Sequence, residues 1–156
     1  KTAIRGVDVF ADATASFPSW DNPLFCATAG LYYQTSSGPN IKVTAELRWN
    51  GEKPGSTALI QDTVVIGGLS QAVALVWSTV GGAPVSLGGT WYHDWTDGSG
   101  AVIPSFSADL APLISVKAFL PLSYGAEGTA YRKYYPSETK GYVAGLGIVF
   151  LLKANW

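Results

Sequence analysis

The sequence predicts an all-β, single-domain antiparallel β-sandwich or jelly-roll-like fold of about eight to nine strands, with a closed eight-stranded β-barrel as the alternative. Three observations predict it. Apolar and polar residues alternate with period two along most of the chain. Gly, Pro and Asn turn signals recur at short spacing. No stretch carries a helical period, and 156 residues suffice for one domain with a core of its own.

Each strand follows from its own residues. VDVFADATA alternates from Val7, with Val9, Ala11 and Ala13 on one face and Asp8, Phe10, Asp12 and Thr14 on the other. LFCATAGLYYQ reads as a strand from Leu24 to about Gln34. NIKVTAELRWN is the clearest: Ile41, Val43, Ala45, Leu47 and Trp49 oppose Lys42, Thr44, Glu46 and Arg48, and Asn50-Gly51 closes it. TALIQDTVVI and LSQAVALVWSTV follow, split by Gly67-Gly68, and VSLGGTWYHDW ends at Asp97-Gly98. Pro104, Pro112 and Pro121 argue for short strands, edges or bulges between 101 and 124. Arg132 to Pro136 reads as an exposed loop or edge. The final segment, 141–156, is apolar on both faces and is expected to be a core strand.

Only 13% of residues are charged, against about 25% in an ordinary soluble domain, so much of the surface is not built simply to face water. The net charge of −1 and scattered basic residues exclude a nucleic-acid footprint. The opening KTAIRG reads as a processed end after signal-peptide removal, which predicts export to the cell surface or beyond. No apolar window is long enough for a membrane helix, so any membrane role must come through strands.

Chemistry-bearing motifs are sparse. TWYHDWTDGSG holds the single histidine, His93, but no Gly-x-Ser-x-Gly accompanies it, and His93 and Asp94 would point to opposite faces of a strand. Asp94 and Asp97 lack the remaining ligands of a calcium loop. One His and one Cys cannot close a His/Cys zinc site, and Cys26 reads as a structural thiol. No enzyme activity, cofactor or metal is expected. Tyr and Trp cluster near strand ends; Trp91, Tyr92, Trp95 and Trp156 are the candidate contact residues, as subunit contacts, stacking platforms or interfacial girdles.

The expected function is that of a secreted structural subunit that polymerises with identical copies into a filament, pilus or coat. Residues 1–15 would supply the donor or edge strand through Val7, Val9, Ala11 and Ala13, and Leu146, Ile148, Phe150 and Leu152 would form the acceptor groove or core. Two alternatives stand beside it. One is a small outer-membrane barrel, because Trp156 resembles the aromatic ending of such chains and the last strand alternates. Few evident lumen-facing polar residues and the three prolines weigh against it. The other is a soluble carbohydrate-binding sandwich using exposed Trp and Tyr.

Overall fold

The computed structural model describes all residues except 1, 5, 17–23, 36–38, 52–56, 61–62, 67, 113, 133–141, 145 and 153–156. Its strands are β1 (Thr2–Ile4), β2 (Val7–Ser16), β3 (Leu24–Gln34), β4 (Asn40–Asn50), β5 (Thr57–Ile60), β6 (Thr63–Ile66), β7 (Gly68–Ser78), β8 (Val85–Asp94), β9 (Gly100–Ala111), β10 (Ile114–Phe119), β11 (Leu122–Tyr124), β12 (Tyr142–Ala144) and β13 (Gly147–Leu152). The all-β, antiparallel class is thus what the structure shows. One sheet runs β1-β2-β3-β4-β7-β8-β9-β10-β13, with β11 beside β9 and β12 beside β11. The hairpin β5–β6 forms a separate two-stranded sheet, so the stretch read as one strand from Thr57 to Ile66 is two. Among the described residues the outer edges, β1–β2 and β13, are not paired with each other, and the sheet order is open.

Chain order and sheet order coincide apart from the β5–β6 excursion, so the main sheet is an up-and-down meander. β10 and β11 lie end to end along β9, and β12 and β13 lie end to end along them, with the alignment unchanged across the gap. Counted this way, the meander has eight long strands, from β2 to the β12–β13 pair.

The prolines explain the gap. Pro104 lies inside the twelve-residue β9, paired with Gly89 of β8, where a short edge element was expected. Its carbonyl accepts from Leu120 N–H at 3.0 Å. A residue in an antiparallel strand directs N and O to the same neighbour. The donor that Pro104 lacks therefore faces the Leu120–Pro121 break, where no ladder partner is needed. Pro112 occupies the turn between β9 and β10.

Register decides the character of the two faces. The rows Val9, Leu31, Ala45, Val73, Trp91, Val102 and Ala13, Ala27, Trp49, Leu69 lie on one face. The rows Asp12, Thr28, Arg48, Ser70, Asp94 and Gly88, Ser105, Phe119 lie on the other. All eight charged residues of the main-sheet strands (Asp8, Asp12, Lys42, Glu46, Arg48, Asp94, Asp109 and Lys117) fall on that second face. The polar face is the more buried of the two around Asp94, which is 0% exposed, with Asn50 3%, Ser115 5% and Ser123 7%, while Asp12, Glu46, Asp109 and Lys117 on the same face are exposed. The apolar face is open to the surroundings, with Leu47 46% exposed, Leu75 49% and Phe106 40%. The only buried hydrophobic residues among those described are Ala101 and Ala130.

Glycines within strands make room for cross-strand rings. Gly30 faces Phe10, Gly100 faces Tyr124 and Gly147 faces Phe119 in register, and each ring lies where the glycine's Cβ would be. A Cβ on Gly30 would sit 2.5 Å from Phe10 Cζ and 2.6 Å from the Ala45 carbonyl oxygen. Gly30→Val is expected to cost about 1–3 kcal/mol through this overpacking, read as a lowered denaturant midpoint at unchanged slope.

Candidate functional site

The end of the sheet where β8 turns into β9 carries the densest side-chain chemistry, and it is two-sided. Successive residues of β8 point to opposite faces, so Trp91, His93 and then Trp95 go outward while Tyr92 and Asp94 go inward.

On the outer side, Trp91 Nε1–H donates to Tyr124 Oη at 2.8 Å, and Tyr124 Oη lies 2.8 Å from His93 Nδ1. With Trp91 as donor to that oxygen, the tyrosine's own proton is free to donate to His93 Nδ1. His93 meets Trp95 edge-on at 4.7 Å between centroids and stacks with Trp91 at 5.7 Å and Tyr124 at 5.9 Å. Trp95 Nε1–H donates to Gln71 Oε1 at 3.0 Å. Trp91 and Trp95 remain 38% and 55% exposed. The result is a belt of amphipathic rings in which Trp91, Tyr124 and His93 are joined through their polar atoms and Trp95 is anchored to Gln71.

On the inner side the Asp97–Gly98 turn is locked to the segment after β11. Asp97 Oδ1 accepts from Ser99 N–H at 2.9 Å and Ser99 Oγ–H at 2.6 Å, and Asp97 Oδ2 accepts from Ala130 N–H at 2.7 Å. Tyr131 N–H donates to Ser99 Oγ at 3.4 Å, and the Tyr131 ring stacks on Tyr92 at 6.4 Å. Asp94 Oδ1 accepts from Thr96 N–H at 2.7 Å. The turn is also tied to β7, since Leu69 N–H donates to Thr96 Oγ1 and Trp95 N–H to the Leu69 carbonyl. Arg132, expected in an exposed loop, is only 3% exposed, because residues 125–132 fold back over the polar face. Lys133 to Pro136 lie outside the described residues.

Burial is the main reason the Tyr131 hydroxyl is held well above its ordinary value, with Tyr92, Asp94, Tyr124 and Asp97 adding to it. The raised folded value means this group leaves stability unaffected below about pH 10, the unfolded tyrosine value. Above that pH the unfolded chain ionises first and stability falls. Tyr131→Phe is expected to flatten this alkaline loss, read as the difference between the two unfolding curves from pH 9 to 12.

The sequence-predicted residues are distributed as follows. Trp91 and Trp95 share the outer belt, whereas Tyr92 is across the sheet from them; Trp156 lies outside the described residues. Val7, Val9, Ala11 and Ala13 of β2 are paired in register with Tyr33, Leu31, Ala29 and Ala27 of β3, and β1 pairs with Val7 to Val9 on the other edge. The proposed donor is therefore held within its own chain on one edge and partly on the other. Leu146, Ile148 and Phe150 were expected in a groove or core, yet are 73%, 56% and 70% exposed. Leu152 ends β13 opposite Ile114, and its side chain is outside the description. Cys26 is half-buried and donates to Asn50 Oδ1 at 3.3 Å.

His93 and Ser99 are on opposite sides of the sheet, and the Ser99 hydroxyl is already committed to Asp97, so no nucleophile–base pair forms here. Among the described residues no three His, Cys, Asp or Glu side chains gather in a way that could hold a metal. Gln71 and Tyr131 joined the site without a sequence signal, Gln71 through the β7–β8 register and Tyr131 through its backbone bond to Ser99, whereas Tyr124, one of the aromatics near strand ends, is brought there by the β9–β11 register. No family model, curated protein or solved structure matches the chain.

Proposed function

We propose that this chain is a small membrane protein whose sheet, open among the described residues, closes into a β-barrel in lipid, with the apolar face toward lipid and the polar face toward the interior, acting as a non-catalytic surface component. The observation that carries this is the one-sided distribution of charge. All eight charged residues of the main-sheet strands share one face, where Asp94 is fully buried, and the opposite face presents exposed Leu, Val, Phe and Trp. A water-soluble sheet has the reverse arrangement, and a strand system in lipid requires this one.

Dimensions agree with that reading. Strands of 10 to 12 residues match the 9–11 that cross a bilayer when tilted. On the apolar face Leu69 and Trp77 are about 26 Å apart along β7, or about 20 Å in height at a tilt of ~40°. Trp49 and Trp95 stand at one end of that band and Trp77 at the other, in the manner of interfacial aromatics. Eight is also the smallest even strand number of single-chain barrels, and open edges do not persist in hydrocarbon. Both points favour pairing of the β1–β2 and β13 edges within one chain over donation to a neighbour.

The experiment is to dilute the urea-unfolded chain into lipid vesicles and into plain buffer. Strand-type circular dichroism with monomeric, heat-modifiable migration only in vesicles supports the proposal. A folded monomer or regular filaments in plain buffer would refute it.

A further inference from the structure

The other end of the polar face, at the start of β8, holds a hollow to which the membrane reading assigns no ligand. Ser86 of β8, Ser105 and Ser107 of β9 and Lys117 of β10 line one hollow of about 220 Å³. Register places them side by side: Ser86 opposite Ser107, and Ser107 opposite Lys117. Gly88 keeps the floor open, since a Cβ there would come within 3.1 Å of Ser105 Oγ. Phe119 closes one side.

We propose that this hollow binds a small oxyanion of the phosphate class. Three serines and one lysine line, with Val76 and Phe119, a space too small for a drug-sized ligand and adequate for a tetrahedral anion. None of the four side chains has a hydrogen bond or ion pair to another described residue, so their donors are available. The nearest carboxylate on the same face, Asp109, accepts from Ser115 Oγ at 2.5 Å, and Lys42 adds positive charge along the row that runs through Val76, Gly88 and Ser105. The inference does not depend on the membrane proposal, because the hollow belongs to the polar face whatever covers the apolar one.

The test is calorimetric titration of inorganic phosphate into the full-length chain folded in a non-ionic detergent at low ionic strength. Saturable binding is expected. Lys117→Gln should weaken it about tenfold or more, as loss of a charge-assisted donor does; Lys117→Arg should retain most of it, and Ser107→Ala should weaken it less than Lys117→Gln. Circular dichroism verifies the strands of each variant. Absence of saturable binding to the wild-type chain, or equal affinity in Lys117→Gln, overturns the proposal. Glycerol 3-phosphate titrated in parallel separates the sources: tighter binding than phosphate identifies a lipid-type headgroup, and equal or weaker binding identifies the free ion.

Discussion

Leu31→Arg is expected to destabilise the vesicle-folded protein by about 2–4 kcal/mol, the cost of a cation near the bilayer midplane. Leu31 lies in the row of Val9, Ala45 and Val73, midway between the two aromatic levels, and is 39% exposed. The same substitution on the surface of a water-soluble sheet would fall within about 0.5 kcal/mol of neutral. The sign and size of one measured change therefore separate the two environments. Equilibrium unfolding from vesicles in urea is the measurement, with Leu31→Ala as the control for lost side-chain volume.

Asp97→Ala should act on the opposite side of the sheet. One carboxylate satisfies three donors, two from Ser99 and one from Ala130, where Ser99 is 0% exposed. Leaving buried donors unpaired costs about 1–3 kcal/mol for each group, and partial relaxation of the turn brings the expected total to roughly 2–4 kcal/mol. The loss should be local as well as global. Residues 125–132 lose their tether at Ala130, so proteolysis near Gly125 and Gly128 should accelerate in the variant before global unfolding does. Asp97→Asn keeps one acceptor oxygen and should fall between the two.

Much of the fold was legible because strands advertise themselves by alternation. NIKVTAELRWN is β4 from end to end, and its lysine, glutamate and arginine do share a face. LFCATAGLYYQ is likewise β3 throughout. What alternation does not reveal is which face is inside. Both arrangements give the same period, and the usual assumption that apolar residues turn inward is reversed here by the burial of Asp94, Asn50 and Ser115.

The prolines show the same limit. Pro104 is poor evidence against a central strand when a break in the neighbouring strand removes the need for its donor, and the Leu120–Pro121 break is a tertiary fact. The count of polar residues on the charged face suffered similarly. Single-residue parity was clear in β4, but the contributions of Ser105, Ser107 and Lys117 depend on a register that shifts at Ile114 and Ser115. The candidate site was half legible: the Trp91–Asp97 stretch announced its chemistry, while Tyr124 and Tyr131 reach it from 30 and more residues away.

The most direct measurement is quenching of the native tryptophans by lipids brominated along the acyl chain. Trp49, Trp77, Trp91 and Trp95 are all at least 37% exposed, three of them on the apolar face within the meander and Trp95 just beyond it. Strong quenching is the predicted result, greatest for bromines near the headgroup for Trp49, Trp77 and Trp95, with Trp91, in the row of Leu31 and Val73, reached by bromines nearer the bilayer centre. Fluorescence indifferent to brominated lipid, yet quenched by aqueous iodide, would contradict the membrane account.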